Sequence, residues 1–318
     1  MVPAIDIVEL TKDYPVGFWR PRPYRALDRL TLAVAPGEVF GFLGPNGAGK
    51  TTTLKLLMQL VFPTAGHASI LGRPAGDLRM RHRIGYLPEN PYFYDNLTAE
   101  ELLHYFASLF GIPAAQRAAR VASLLDQVGL GAERRMRLRK YSKGMVQRVG
   151  IAQALVNQPE VVFLDEPMSG LDPLGRRDIR ALILRLRDQG TTVFFSSHIL
   201  SDAETLCSRV AILAGGRLAT SGRPSELDGY EARGWEVVMT SVSPALAVQA
   251  RDRGVNATEV SPGRYAFELP PSTRPEPFVA EMGAAGASLI SVSPIHTTLE
   301  DVFVQQVSRT ASAREGAL

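Results

Sequence analysis

"GPNGAGKT", residues 44 to 51, is the stretch on which the reading of this sequence turns. It fits the pattern G-x-x-x-x-G-K-[ST]. It is entered from an apolar, β-branched run, "LTLAVAPGEVFGFLG", and leads into a helical one, "GKTTTLKLLMQLVF". Its glycines let successive backbone N–H groups wrap an anion, and the helix start adds the positive end of its dipole. Gly44, Pro45, Asn46, Gly47, Ala48, Gly49, Lys50, Thr51 and Thr52 are therefore predicted to cradle the phosphates of a nucleotide. The Lys50 ammonium suits the β- and γ-phosphates, and the Thr51 hydroxyl suits Mg²⁺. Leu54, Leu57, Met58 and Val61 fall on one face of the predicted helix and turn it toward a core.

Downstream, "VVFLDEP" (161–167) reads as a buried strand that delivers two acids at its end. Asp165 is placed to hold Mg²⁺ beside the phosphate loop, and Glu166 to orient or deprotonate an attacking water. "TTVFFSS" is a second such strand, and His198 follows it, at the C-terminal end where an α/β sheet binds ligands. Between loop and acids the character changes. After "IGYLPEN", Thr98 and Glu101 form a capping box, a second helix covers roughly 114 to 128, and a third follows Ser142. Strand–helix alternation resumes at Glu160, with a helix near 174–188, another from Ser201, and "VAILAGGRLATSG". A parallel α/β core interrupted by a helical insertion at about 89–157 is the expected architecture. "YPVGFWRPRPYRALD" (14–28) reads as a loop with a proline-rich, basic, aromatic tip.

A second unit is expected over 229–307, after a first domain of 1–228. Its strands and helices, from "WEVVMT" to "ASLISVSPI", follow the order βαββαβ of a small ferredoxin-like α+β domain. "TLEDVFVQQV" adds a last helix, and 308–318 reads as a flexible tail. Composition sets the outer bounds. The chain has 318 residues, of which 45% are hydrophobic and 21% charged, and its 35 basic against 32 acidic residues leave a formal charge of +3. That near balance does not point to a nucleic-acid partner. A single cysteine, Cys207, excludes an internal disulfide and fits a reducing compartment. The acids of "MVPAIDIVELTKDY" do not suit a cleaved leader, and no apolar run is long enough to span a bilayer. A cytoplasmic protein is expected, with any membrane role borrowed from a partner.

These residues, in this order, resemble the ATP-binding subunit of an ABC transporter over roughly residues 4 to 225. "GPNGAGKT" is similar to the Walker A loop, "VVFLDEP" to the Walker B strand, "SGLD" (169–172) to the D-loop, and His198 to the switch histidine. "YSKGM" (141–145) stands where the family's Leu-Ser-Gly-Gly-Gln signature belongs. The resemblance implies an ATPase that uses ATP and Mg²⁺, with Glu166 as general base and Lys50 and His198 at the γ-phosphate. It implies Tyr14 stacking on adenine, with Trp19 and Tyr24 as neighbouring aromatics. It further implies a head-to-tail pair of copies in which Ser142, Lys143, Gly144 and Met145 of one cover the ATP of the other, with Asp172 relaying across the interface. Thr51, Asp165 and Glu89 become the metal ligands; Glu89 replaces the family's usual Gln, as Lys143 and Met145 replace Gly and Gln. "YLPEN", "YSKGM" and a C-terminal "LEDVF" resemble the ABC-2 exporter branch, whose ATPases sit on the cytoplasmic face of the membrane under a separate integral permease. The alternative, a soluble ABC-type ATPase acting on ribosomes or DNA, fits less well: such chains carry two cassettes or a long inserted coiled coil, and this insertion lacks sustained heptads.

Overall fold

In a computed structural model, residues 2–17, 22–227, 232–296, 300–301 and 303–304 are described. They fall into two compact units, one up to Leu227 together with 303–304 and one from 232 to 301, each taken by itself below. The boundary expected near 228 and the tail 308–318 lie outside the described residues, as does most of the last predicted helix.

The first unit opens with β1 (Ile5–Val16), β2 (Arg22–Val34) and β3 (Val39–Leu43), followed by α1 (Lys50–Leu57), β4 (Ala65–Ile70), β5 (Arg73–Pro74) and β6 (Ile84–Leu87). The helical insertion contributes α2 (Ala99–Leu109), α3 (Ala114–Gln127) and α4 (Lys143–Ala154). Then come β7 (Val161–Asp165), α5 (Pro173–Asp188), β8 (Thr192–Ser197), α6 (Leu200–Leu206), β9 (Arg209–Ala214) and β10 (Arg217–Gly222). Strands β3, β7 and β8 are buried along their whole length, which is why they read as unbroken apolar runs instead of alternating ones. They lie inside a six-stranded sheet of order β10-β9-β3-β8-β7-β6, parallel except for β10. Phe194 packs its ring against Phe40, Phe42 and Phe163, tying β8 to both neighbours. The register aligns Leu43 with Ser197 and Asp165 with Ser196, so the C-terminal ends of the three strands come level. That rim is where an α/β sheet presents its ligand site.

Three findings depart from the sequence reading. Tyr14–Val16 and Arg22–Asp28 are not loop but the outer rungs of the β1–β2 hairpin, with Tyr14 opposite Tyr24 and Pro15 opposite Pro23. Prolines fit there because β2 is an edge strand and β1 has no β4 partner beyond Thr11, so neither ring removes a ladder bond. A second sheet, of order β2-β1-β4-β5, was not foreseen. The predicted helix over 49–62 also ends early, at Leu57. Gln59 turns left-handed (φ 55) and the Leu60 N–H closes back on the Lys55 carbonyl, a Schellman-type stop.

The capping box at Thr98 and Glu101 forms as expected, and Ser142 caps α4 by accepting from the Met145 N–H at 3.3 Å. α4 lies hard against β6: a Cβ on Gly85 would sit 1.9 Å from the Ala154 carbonyl oxygen, so only glycine permits this approach. The second unit contains β11 (Ala232–Thr240), α7 (Pro244–Asp252), β12 (Asn256–Ser261), β13 (Arg264–Leu269), α8 (Pro275–Ala284) and β14 (Ser288–His296). Its antiparallel sheet has the order β12-β13-β11-β14, the ferredoxin-like arrangement, around a core that includes Val237, Met239, Phe267 and Met282. The chain is thus an α/β P-loop fold with a helical subdomain and a separate small α+β unit.

Candidate nucleotide-binding site

The loop from Gly44 to Gly49 crosses from β3 to α1 over the sheet rim. Gly49 caps α1 with φ 109, and a Cβ there would lie 2.6 Å from the Ala26 carbonyl oxygen, so strain and space both demand glycine. A cleft of about 360 Å³ opens over the loop, lined by Tyr14, Tyr24, Ala26, Pro45 through Thr52, Glu89 and Glu166. Gly44 lies beneath it, its carbonyl accepting from Lys50 Nζ at 2.7 Å. Lys50 is buried, also donates to the Pro45 carbonyl at 3.3 Å, and stands 3.6 Å from Glu166 Oε1. Its ammonium is thus held by two backbone carbonyls and the Glu166 carboxylate, partners that the oxygens of a polyphosphate can replace.

Glu166 follows β7 with φ 51, a left-handed conformation that costs a non-glycine residue about 1–3 kcal/mol. Its Oε2 lies 2.8 Å from Nδ1 of the half-exposed His198. Asp165 is fully buried; the Ser196 hydroxyl donates to its Oδ1 at 2.5 Å, and the Thr51 hydroxyl lies near enough to stabilise the same carboxylate. Burial pushes the Asp165 carboxyl above the usual Asp range, and Glu89 adds to the rise, against the Ser196 hydrogen bond, Thr51 and Lys50. The same surroundings push the Tyr86 hydroxyl up to about 12, through burial and the charges of Asp165 and Glu89. Asp165 Oδ2 is buried without a hydrogen-bond partner. An orphaned carboxylate oxygen beside the Thr51 hydroxyl, with Glu89 on the same cleft, is a set of hard oxygen donors of the kind Mg²⁺ takes. No group of three or more His, Cys, Asp or Glu among the described residues forms a ready-made metal cage.

Ser142, Lys143, Gly144, Met145 and Asp172 do not join this cleft. They line a separate one of about 510 Å³, with Arg148, Gly170 and Leu171. Asp172 caps α5 by accepting from the Gly175 N–H at 2.8 Å. Gly170 (φ 73) leaves room for the Lys143 stem, which a Cβ there would meet at 2.9 Å. Tyr14 and Tyr24 both line the cleft, and Lys12 stands over the Tyr14 ring at 5.0 Å; Trp19 lies outside the described residues.

Residues 27–169 match the ABC transporter family. An uncharacterized ABC transporter ATP-binding protein of Synechocystis is 45% identical over 306 residues, covering 96% of this chain and 84% of the relative. The chain belongs to the ATP-binding proteins of ABC transporters. A Nod factor export ATP-binding protein of Burkholderia pseudomallei is 36% identical over 293 residues, covering 89% of this ABC protein and 92% of the relative. An ATP-binding cassette solved as a dimer in a post-hydrolysis state with ADP and Pi superposes with a TM-score of 0.64 at 26% identity, over 69% of this chain and 98% of that one. The chain is therefore the ATP-binding and ATP-hydrolysing subunit of an ABC transporter.

Two contributors to the site were missed in the sequence. Ser196 bridges the acids, donating to Asp165 and accepting the Glu166 N–H at 3.0 Å. Gln147, buried on α4, donates from Nε2 to the Glu166 carbonyl at 3.2 Å. A signal existed for each: a serine closing an otherwise apolar buried strand, and a polar residue in phase with the inward positions Gly150, Ile151 and Ala154 of α4. Ser196→Ala leaves a buried N–H and a buried carboxylate oxygen each short of a partner. A stability loss of about 2–3 kcal/mol is expected, read as a lower urea midpoint at unchanged slope.

Proposed function

We propose that this chain is the ATPase of an ABC-2-type exporter, seated on the cytoplasmic face of a membrane under a separate permease, and that two copies close head to tail around two ATP molecules. The division of the site carries the reading. The phosphate cleft is lined by the loop, Glu89 and Glu166, with His198 against the Glu166 carboxylate, while the signature residues and Asp172 line a cleft of their own. A second copy turned head to tail would lay its α4 N-terminus, where anions are favoured, over the γ-phosphate that Lys50 holds. The exporter branch rests on Glu89, on the "YSKGM" signature and on the likeness to a relative named for export. No helix among the described residues is long and apolar enough to cross a membrane, so transport needs a partner that does. Tyr92 and Tyr94, 89% and 72% exposed a few residues after Glu89, offer the docking surface.

In turnover, the ammonium of Lys50 leaves the Gly44 and Pro45 carbonyls for the terminal phosphate oxygens. Glu166, held by His198, takes a proton from the water that attacks the γ-phosphorus, and the β–γ bridging oxygen leaves with ADP. Mg²⁺ held by Thr51, Asp165 and Glu89 would neutralise charge on the β- and γ-phosphates. Purifying the tagged chain from its own membranes in mild detergent tests the assignment: an integral membrane protein should co-purify in stoichiometric amount. Recovery with ribosomes or DNA alone would overturn it.

Glu89 carries its own prediction. Its charge adds repulsion toward a metal-free nucleotide and helps raise the Asp165 carboxyl. A raised carboxyl takes up its proton at a higher pH as the solution is acidified, so loss of metal binding begins at higher pH than for an ordinary Asp. Glu89→Gln is expected to move that acid limb of turnover to lower pH. It is also expected to shrink the gain in ATP affinity on adding Mg²⁺ by about threefold. Unchanged Mg²⁺ dependence of affinity and turnover would remove this role.

A further inference from the structure

We infer that Gln147 is a positioning residue that makes the general base of each copy respond to the ATP held by the other. The inference rests on the head-to-tail arrangement above. Glu166 is held in its left-handed conformation from three sides. Its N–H donates to Ser196 Oγ at 3.0 Å, and its carbonyl accepts from the Ser169 N–H at 3.0 Å and from Gln147 Nε2 at 3.2 Å. Ser169 opens the D-loop segment, and Ser196 precedes His198 by two residues. Gln147 is one turn beyond the N-terminus of α4 and is 2% exposed. Its neighbour Arg148 donates to the Val128 carbonyl at 3.1 Å and reaches Asp178 Oδ2 at 3.6 Å. The start of α4 is therefore fixed at once to the helical subdomain, to α5 and to the backbone of the general base.

A helix tied in this way cannot shift its N-terminus toward a partner's γ-phosphate without pulling on the Glu166 carbonyl. The carboxylate of Glu166 sits between Lys50, 3.6 Å away, and His198, 2.8 Å away, on a left-handed backbone whose carbonyl Gln147 holds. In the head-to-tail pair, α4 of one copy covers the partner's nucleotide, while its Gln147 adjusts the base that acts on its own. Each base is thus set by occupancy of the opposite site, a two-state element biased by both ligands.

Gln147→Met keeps length and volume and removes the donor. Turnover should fall about tenfold with KM for ATP within about twofold, and the Hill coefficient for ATP should fall toward unity. The Gln147→Met, Glu166→Gln double variant should still accumulate as a dimer at the ATP concentration that dimerises Glu166→Gln alone. Native turnover and cooperativity in Gln147→Met overturns the inference, and so does a native protein that is itself non-cooperative. Loss of dimerisation in the double variant overturns it too, by showing that Gln147 only holds the fold. If Glu166→Gln alone stays monomeric with ATP and Mg²⁺, the head-to-tail reading has failed first, and the inference falls with it.

Discussion

Glu166→Gln is expected to slow ATP turnover about 10³-fold and to trap a dimer in ATP and Mg²⁺. The amide matches the carboxylate in size and can keep the hydrogen bond with His198, whose Nδ1 lies 2.8 Å away. Two things change. The proton acceptor for the attacking water is gone, which sets the loss in rate. A negative charge 3.6 Å from Lys50 is also gone, so the polyanionic nucleotide no longer competes with a carboxylate for that ammonium. ATP therefore binds at least as tightly but is not cleaved, and the closed pair accumulates. Phosphate release and light scattering after size-exclusion chromatography read the two halves independently. Full turnover would show that Glu166 is not the base. A strictly monomeric variant would count against head-to-tail closure even with turnover abolished.

How far the site could be read from the chain follows from which interactions are local. The phosphate loop is a contiguous segment whose glycines, lysine and threonine each have one task, so its chemistry is visible without the fold. The strands β3, β7 and β8 declare themselves because burial on both faces leaves no polar alternation. β4 does not. "AGHASI" is mostly exposed at its start, carries Gly66 at φ 76, and becomes a strand only through pairing with β1, some sixty residues earlier. The hairpin rungs at Tyr14 and Tyr24 were hidden for a related reason. Prolines count against a strand in sequence, and only the free edges of β1 and β2 make them harmless.

Ser196 and Gln147 illustrate a further limit. Neither belongs to a segment with an evident task, and each acquires one only through tertiary register. Ser196 matters because β7 and β8 place it level with Asp165. Gln147 matters because α4 packs its inward face where the Glu166 carbonyl emerges. Asp165 and Glu166 show the converse case. Their identity and the burial of the strand that delivers them were legible, but the left-handed backbone of Glu166 was not, and it decides how that residue can act.

Lys50→Met is expected to weaken ATP binding by about two orders of magnitude, near 3 kcal/mol, the range for losing one partner of a desolvated charge-assisted contact. Folding should be little affected. Met keeps the aliphatic stem within the buried position, and of the two carbonyls that Lys50 Nζ now engages, that of Pro45 belongs to a cleft that admits water while that of Gly44 lies beneath it. Equilibrium binding of a fluorescent ATP analogue measures the loss, and a urea melt confirms that the fold persists. Combining this change with Glu166→Gln separates two origins of dimer formation. If the partner's signature residues are drawn to a γ-phosphate that Lys50 holds in place, the Lys50→Met, Glu166→Gln protein should remain monomeric at ATP concentrations that fully dimerise Glu166→Gln. If the double variant dimerises as readily, removal of the carboxylate alone drives association, and the phosphate is not the bridge between copies. The two residues contact each other, so their effects should not add, and the size of that departure measures how far each holds the other before ATP arrives.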